Sequence, residues 1–410
     1  MRQQLRGIGV YFLAAIVVLA SVFIISKPPG KLFYQDADNA FMADFIIYYS
    51  AGQIFNKAPD KIYSSEEYRK HYAEITGWPN ESFAQYVACI LYPPYAVFLY
   101  APFAKMPLMD AYYFWRIISG LLTFLLAYLL IKDTNLRHSP AIFFTYIAAI
   151  ISPPMLDALN IGQPTILLPL GIIIFKLLAR THYVFFACMI LVLTSLKPHL
   201  TLAVILYLLI NNYGKRELYS LIAASILVFT ACSAIFGFDI WQQYLSAITS
   251  APEKMHSFGE TELSMANIRT ILLLMFGQVN FAAINFISLI LWMISVMLSI
   301  YAGFTTREQS QRSKAITFAM VITASCVFGL WTHISSLALL LIPLGCLLKY
   351  SSKTTLYIIA IIISSMNLLS GTFLPVSLAV TQLLLLIYFY FMLTKNGDRN
   401  DLHTTPAISS

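Results

Sequence analysis

Charge is the scarcest feature of this sequence. Asp, Glu, Lys and Arg make up 11% of its 410 residues, while 59% are hydrophobic and the mean hydropathy is +0.73. A soluble domain carries roughly 25% charged residues, so an ordinary water-soluble enzyme is excluded. Cysteine is sparse as well. Cys89, Cys188, Cys232, Cys326 and Cys346 are scattered and no CxxC pair occurs, which argues against a disulfide framework or a cysteine metal site. P-loop, HExxH and GxSxG motifs are missing. The acidic residues do not pair at ligand spacing, so no metal and no cofactor is expected. No internal repeat is evident. Period-two alternation is lacking in runs such as Ile290 to Ile300, which excludes a membrane barrel. Open sheets are excluded because the bilayer core offers the backbone no partner.

What is there instead is a series of apolar runs, each about 20 residues long and able to cross a bilayer. The chain reads as an all-α polytopic membrane protein with one domain over residues 1–395 and a flexible cytoplasmic tail over 396–410. Arg2 and Arg6 precede the run Ile8 to Ser26, and Lys27-Pro28-Pro29-Gly30 follows it in place of a small-residue cleavage site. An uncleaved first span with a cytoplasmic N-terminus is expected. Residues 27–92 form a long non-cytoplasmic loop in which short interfacial helices are expected, and 237–267 form a second polar loop on that side. If Lys197-Pro198-His199 is a hairpin tip, about twelve spans result, among them Ser139 to Leu156 and Thr354 to Leu369. The inner side then holds 15 of the 26 Lys and Arg but 5 of the 19 Asp and Glu, the expected orientation signal. The net charge of +7 therefore reports membrane topology, and no nucleic-acid partner is expected.

This layout collects the unusual polar features on the outer side. The stretch ADFIIYYSAG, residues 43–52, opens with Asp44 in otherwise apolar surroundings. If it is helical, Asp44, Tyr48 and Ala51 share one face. Beyond it lie Tyr92-Pro93-Pro94-Tyr95, the NIGQP segment with Asn160 and Gln163, Lys197-Pro198-His199, Arg269 and Trp331-Thr332-His333. Proline at 198 fixes a helix break beside Lys197.

In order and spacing these motifs resemble glycosyltransferase family 87, over most of the chain to about His333. The resemblance implies a GT-C-like helical bundle using polyprenyl-phosphate sugars, as in the mannosyltransferases of glycolipid assembly. It departs from the family in lacking a Gly before Ile62-Tyr63. It implies inverting transfer of a hexose or pentose to a lipid or glycan hydroxyl on the non-cytoplasmic face of a bacterial inner membrane. Asp44 matches the family's carboxylate and is the candidate general base; Asp36 and Asp38 compete for that place, though they also suit turn or N-cap roles. Lys197, His333, Arg269 and His199 are candidates for the donor phosphate. Tyr48, Tyr92, Asn160 and Gln163 are candidates for substrate contact. Each has a plainer alternative: Lys197 can snorkel to headgroups, His333 and Arg269 can be interfacial residues, and Asn160 and Gln163 can cap a turn. Glu260 and Glu262 suit a solvated loop, and Asn80-Glu81-Ser82 fits a glycosylation pattern that is common by chance. Two other functions remain open from sequence: a lipid or oligosaccharide transporter or flippase without chemistry, and a silent assembly subunit.

Overall fold

The computed structural model describes residues 43–76, 90–134, 149, 152–256, 265–276, 281–330, 332–350 and 373–394. Among these residues the regular structure is helical, apart from one isolated antiparallel bridge between Met265 and His333. Four helices are long and apolar enough to cross a bilayer: Leu108–Asp133, Lys215–Phe236, Phe281–Thr306 and Val376–Thr394. At 1.5 Å per residue, their 19 to 26 residues reach roughly 28–39 Å, which matches a hydrocarbon core of about 30 Å. Tyr219, Ile226, Phe286, Met297 and Leu298 point outward from two of them and are more than half exposed. Lipid, unlike water, tolerates an apolar belt of that kind, and the chain is an integral membrane protein.

The other apolar helices among the described residues are short: Pro164–Leu178, Val184–Thr194, Pro198–Asn211 and Ile334–Tyr350. Proline opens several elements, including Pro164 and Pro198 in first turns, where its missing N–H has no helical partner to lose. The break expected at Lys197-Pro198-His199 lies between the helices Val184–Thr194 and Pro198–Asn212.

Two expectations change. The run expected as a span over residues 139–156 does not close as one helix. A separate helix, Pro153–Ile161, starts behind an extended Ser152, because two consecutive prolines reset the backbone there. The region expected as a second polar loop contains a 17-residue helix, Ile240–His256. Its Trp241 stacks on Phe229 of the Lys215–Phe236 span with ring centroids 4.8 Å apart. The expected spans at 8–26 and 354–369, most of 139–152, and Asp36, Asp38, Asn80, Glu260, Glu262, Trp331 and the tail lie outside the described residues.

The helix Ala43–Lys57 positions the site. It buries Phe45, Ile46, Tyr48, Tyr49, Ala51 and Ile54 against the short helical turns Pro94–Ala96, Val97–Tyr100 and Phe103–Lys105 and the start of the Leu108–Thr134 helix. Tyr49 Oη donates to the Met106 carbonyl at 2.6 Å, and Phe45 meets Tyr112 edge-on with centroids 5.4 Å apart. Gly52 lets this helix approach the 100–104 backbone; a Cβ there would lie 2.9 Å from that of Ala104. At its other end Phe45 rests on Gly162, which closes the Pro153–Ile161 helix in the left-handed conformation at φ 77°. A Cβ on Gly162 would come within 2.6 Å of the Phe45 Cβ. On the far side of the bundle the Phe281–Thr305 helix buries Ser288, Ser295, Ser299 and Gly303. Gly303 admits Ile210 and the Tyr207 carbonyl of the Pro198–Asn212 helix, the close approach small residues permit in membranes.

Gly162→Ala faces both the backbone strain, about 1–3 kcal/mol, and the Phe45 clash. A clearly lowered thermal midpoint in detergent is expected; an unchanged midpoint would show that the two helices do not meet there.

Candidate active site

Asp44 sits in the first turn of the Ala43–Lys57 helix, brought by the Phe45–Gly162 contact against the segment that follows the Pro153–Ile161 helix. There Gln163 has extended backbone and its side chain does not cap the next turn. It reaches across instead: Gln163 Nε2 donates to Asp44 Oδ2. The amide oxygen of the same side chain accepts from Ser335 Oγ at 2.5 Å and from Lys197 Nζ at 3.3 Å. Lys197 Nζ also donates to Ser336 Oγ at 2.7 Å. One amide therefore bridges a carboxylate and an ammonium that are 153 positions apart in the chain.

Lys197 itself is the N-cap of the Pro198–Asn212 helix and is 8% exposed. Its ammonium lies 5.9 Å from the centre of the Tyr92 ring, a cation–π contact. Tyr92 in turn stacks on Tyr48 with centroids 5.2 Å apart and accepts from its hydroxyl at 3.1 Å. Tyr48 stacks on Tyr100 at 4.8 Å, which completes an aromatic wall beside the charged cluster.

His333 is the N-cap of the Ile334–Leu340 turn, and its Nδ1 accepts from the Ser335 backbone N–H at 3.4 Å. The Asp157 Oδ2 lies 3.4 Å from that same nitrogen. The side chains of His333 and Asp157 keep 26% and 30% of their surface open, so the cluster borders accessible space.

Burial and mutual charge decide the protonation states. Burial raises the Asp44 carboxyl above its usual range, and the Gln163 hydrogen bond and the Lys197 charge restrain the rise. Asp157 is raised to about 7, first by burial and then by the Asp44 charge. Burial lowers Lys197 to about 8 against the pull of both carboxylates. Burial and the Lys197 charge lower His333 to about 3. His333 is thus a neutral imidazole at physiological pH, and its approach to Asp157 is not an ion pair. His333 Nδ1 also lies 3.0 Å from Ser335 Oγ, and Asp157 Oδ2 makes no hydrogen bond where it stands. The raised pKa of Asp157 leaves its protonated form able to donate to Nδ1 after a small turn of the carboxyl.

Asp44, Tyr48, Tyr92, Gln163, Lys197 and His333 therefore converge. Asn160 contributes its carbonyl, which accepts from Tyr112 Oη at 2.6 Å. His199 also contributes its carbonyl, bonded to Trp292 Nε1 at 2.7 Å, and so ties the helix after Lys197 to the Phe281–Thr305 span. Arg269 is fully buried, donates from Nε to Asn285 Oδ1 at 2.8 Å and lies 5.2 Å from the Phe281 ring centre. Its segment reaches the His333 end of the site through backbone: Ala266 N–H donates to the Thr332 carbonyl at 2.8 Å. Sequence reasoning did not single out Asp157, Ser335 or Ser336. Asp157 carries a visible signal, a carboxylate inside an apolar run three residues after the Pro153-Pro154 pair. The serines show only as a polar pair following His333.

This arrangement can do two things chemically. A carboxylate with raised basicity, held by one amide, can take a proton from a hydroxyl. An ammonium beside neutral hydrogen-bonding groups can stabilise a departing anion. Among the described residues no group of three His, Cys, Asp or Glu side chains gathers as a metal site.

The family model for glycosyltransferase family 87 matches residues 90–330, more than half of the chain. The matched stretch includes Tyr92, Asp157, Asn160, Gln163, Lys197, His199 and Arg269, with Asp44 and Tyr48 upstream and His333 just beyond. No curated protein matches the chain, and no solved structure does. With its membrane-crossing helices and this match, the chain belongs to glycosyltransferase family 87 and is a membrane glycosyltransferase.

Proposed function

We propose that the protein transfers a hexose or pentose, mannose foremost, from a polyprenyl-phosphate donor to a lipid or glycan hydroxyl at the non-cytoplasmic face of a bacterial inner membrane, with inversion at the anomeric carbon. The observation that carries this reading is the Gln163 bridge, which fixes a base and a cation on two arms of one side chain. The acceptor oxygen forms the new bond to the anomeric carbon as the bond to the phosphate oxygen breaks. Asp44 takes the acceptor's proton, and the lipid phosphate leaves with its charge facing Lys197. His333, neutral, can offer Nε2–H to the same phosphate, while Asp157 holds the imidazole through Nδ1. Tyr48, stacked between Tyr92 and Tyr100, and Tyr92, which faces Lys197, back the substrate site and hold the ammonium in place.

Asp44→Asn keeps the shape and the Gln163 contact but removes the base. The expected loss in kcat is about 10²–10⁴-fold, with normal expression and thermal stability, measured with radiolabelled polyprenyl-phosphate mannose. Full activity in this variant would remove the assignment. Label that moves across the membrane intact, without a new glycosidic bond, would instead favour transport.

The pH dependence follows from Lys197. Its pKa of about 8 lies below the ordinary lysine value, so the ammonium is present below pH 8 and lost as pH rises through it. The kcat/KM for donor should therefore fall about tenfold per pH unit above that point. In Lys197→Arg the guanidinium does not titrate in this range, and the alkaline limb should disappear. A limb at the same pH in the variant would assign it to another group.

Asp157→Asn retains a donor for His333 Nδ1, whereas Asp157→Ala does not. The expected result is near-normal transfer in the first and a fall of about tenfold in the second, read as kcat/KM for donor. Equal losses in both would show that Asp157 acts through its charge.

A further inference from the structure

A groove of about 660 Å³ lies apart from the Asp44–Lys197 cluster, between the Pro59–Lys61 turn and the Ile240–His256 helix. Its volume falls in the range of about 300–1,000 Å³ typical of small-ligand sites. Its lining mixes the groups that answer hydroxyls. Asp60 and Asp239 bring carboxylates, Gln243 an amide, Ser64 and Ser246 hydroxyls, and Tyr63 an aromatic side chain. Lys61 also borders it, but its ammonium is already paired with Glu67 at 3.4 Å.

That chemistry discriminates between occupants. An acyl or prenyl chain would meet polar walls. A phosphate would face two carboxylates with the neighbouring ammonium already engaged. A saccharide, whose every hydroxyl both donates and accepts, matches a lining that offers both donors and acceptors.

The groove is also joined to the site. Tyr63, 8% exposed, forms one end, and its hydroxyl donates to the Tyr92 carbonyl at 2.6 Å. Tyr92 is the residue whose ring faces the Lys197 ammonium and stacks on Tyr48. The two walls are held together by Tyr63 and Tyr244, whose ring centroids are 5.8 Å apart. Trp241, on the same helix, anchors this wall to a membrane-crossing helix through Phe229.

We propose that this groove binds the non-reacting part of a saccharide acceptor, which makes the acceptor a glycan rather than a simple lipid alcohol. The proposal rests on the transferase reading above and extends it to the second substrate. The groove holds remote sugar units, and the tyrosine bridge leads from them to the reacting hydroxyl at Asp44.

Two measurements on the full chain in detergent test it. Saturation-transfer NMR with mannobiose, cellobiose and diacetylchitobiose reads binding without any reaction. At least one probe should give a signal with the wild type and with Asp44→Asn. Ser246→Trp, which fills the groove from an exposed position, should abolish the signal, and Gln243→Ala should weaken binding about tenfold, the value of one lost hydrogen bond. In the transfer assay both groove variants should raise the acceptor KM about tenfold or more and leave the donor KM unchanged. No signal from any probe, a signal that survives in Ser246→Trp, or an unaltered acceptor KM in both variants overturns the proposal. A wild type that binds a probe in the groove yet makes no glycosidic product would instead overturn the transferase reading.

Discussion

The structure depends on a buried ammonium that must be answered. Lys197 stands at a helix start with little solvent around it, where an unpaired charge would be costly. It is answered by an amide oxygen, a serine hydroxyl and an aromatic face, none of which neutralises it. The carboxylates stand one group further out, Asp44 behind Gln163 and Asp157 beside His333. A direct Lys–Asp pair would satisfy both charges and leave neither for a substrate. The interposed amide keeps the two charges close enough to bias each other and separate enough to act on different atoms. That separation suits a reaction in which a proton and a phosphate depart in different directions.

Around this cluster the bundle divides its labour. Long helices such as Lys215–Phe236 and Phe281–Thr306 turn bulky apolar side chains to lipid. Short, proline-opened helices fill the interior and place their ends at the site. A helix end is where side chains of different elements can converge without crossing a packed face, and it is where Gln163, Lys197 and His333 all stand. Asp44 arrives on a separate helix, held by Gly52 against the 100–104 backbone and by Phe45 against Gly162 and Tyr112 of a membrane-crossing helix.

Part of this was legible in the sequence and part was not, for physical reasons. The break at Lys197-Pro198-His199 was legible because proline removes a backbone donor wherever it stands. The shared face of Asp44 and Tyr48 was legible because helical periodicity is local. The helix Ile240–His256 was hidden because its polar composition imitates a loop, and its apolar side becomes visible only when Trp241 meets Phe229. Asp157 was visible as a lone carboxylate in an apolar run, but its place beside His333 was not, because the prolines before it start a new helix whose direction sequence does not specify. The neighbours of Arg269 could not be read either: Asn285 lies 16 positions later, on a helix whose approach is set by packing. Gln163 was noticed as a polar residue at a turn, but its place between two charges exists only in three dimensions.

The interruption that places Lys197 at a helix start leaves the neighbouring peptide groups without their helical partners. Ser195 N–H turns back to the Val192 carbonyl, and the Ser195 carbonyl is taken by Tyr95 Oη at 3.0 Å. Tyr95 belongs to the Tyr92-Pro93-Pro94-Tyr95 turn, so one tight turn both quenches the frayed end of a helix and offers its first ring to the cation beyond it. The two motifs, a hundred positions apart, form a single mechanical joint: an alteration that swings the turn away uncaps the break and strips the ammonium of its aromatic neighbour together.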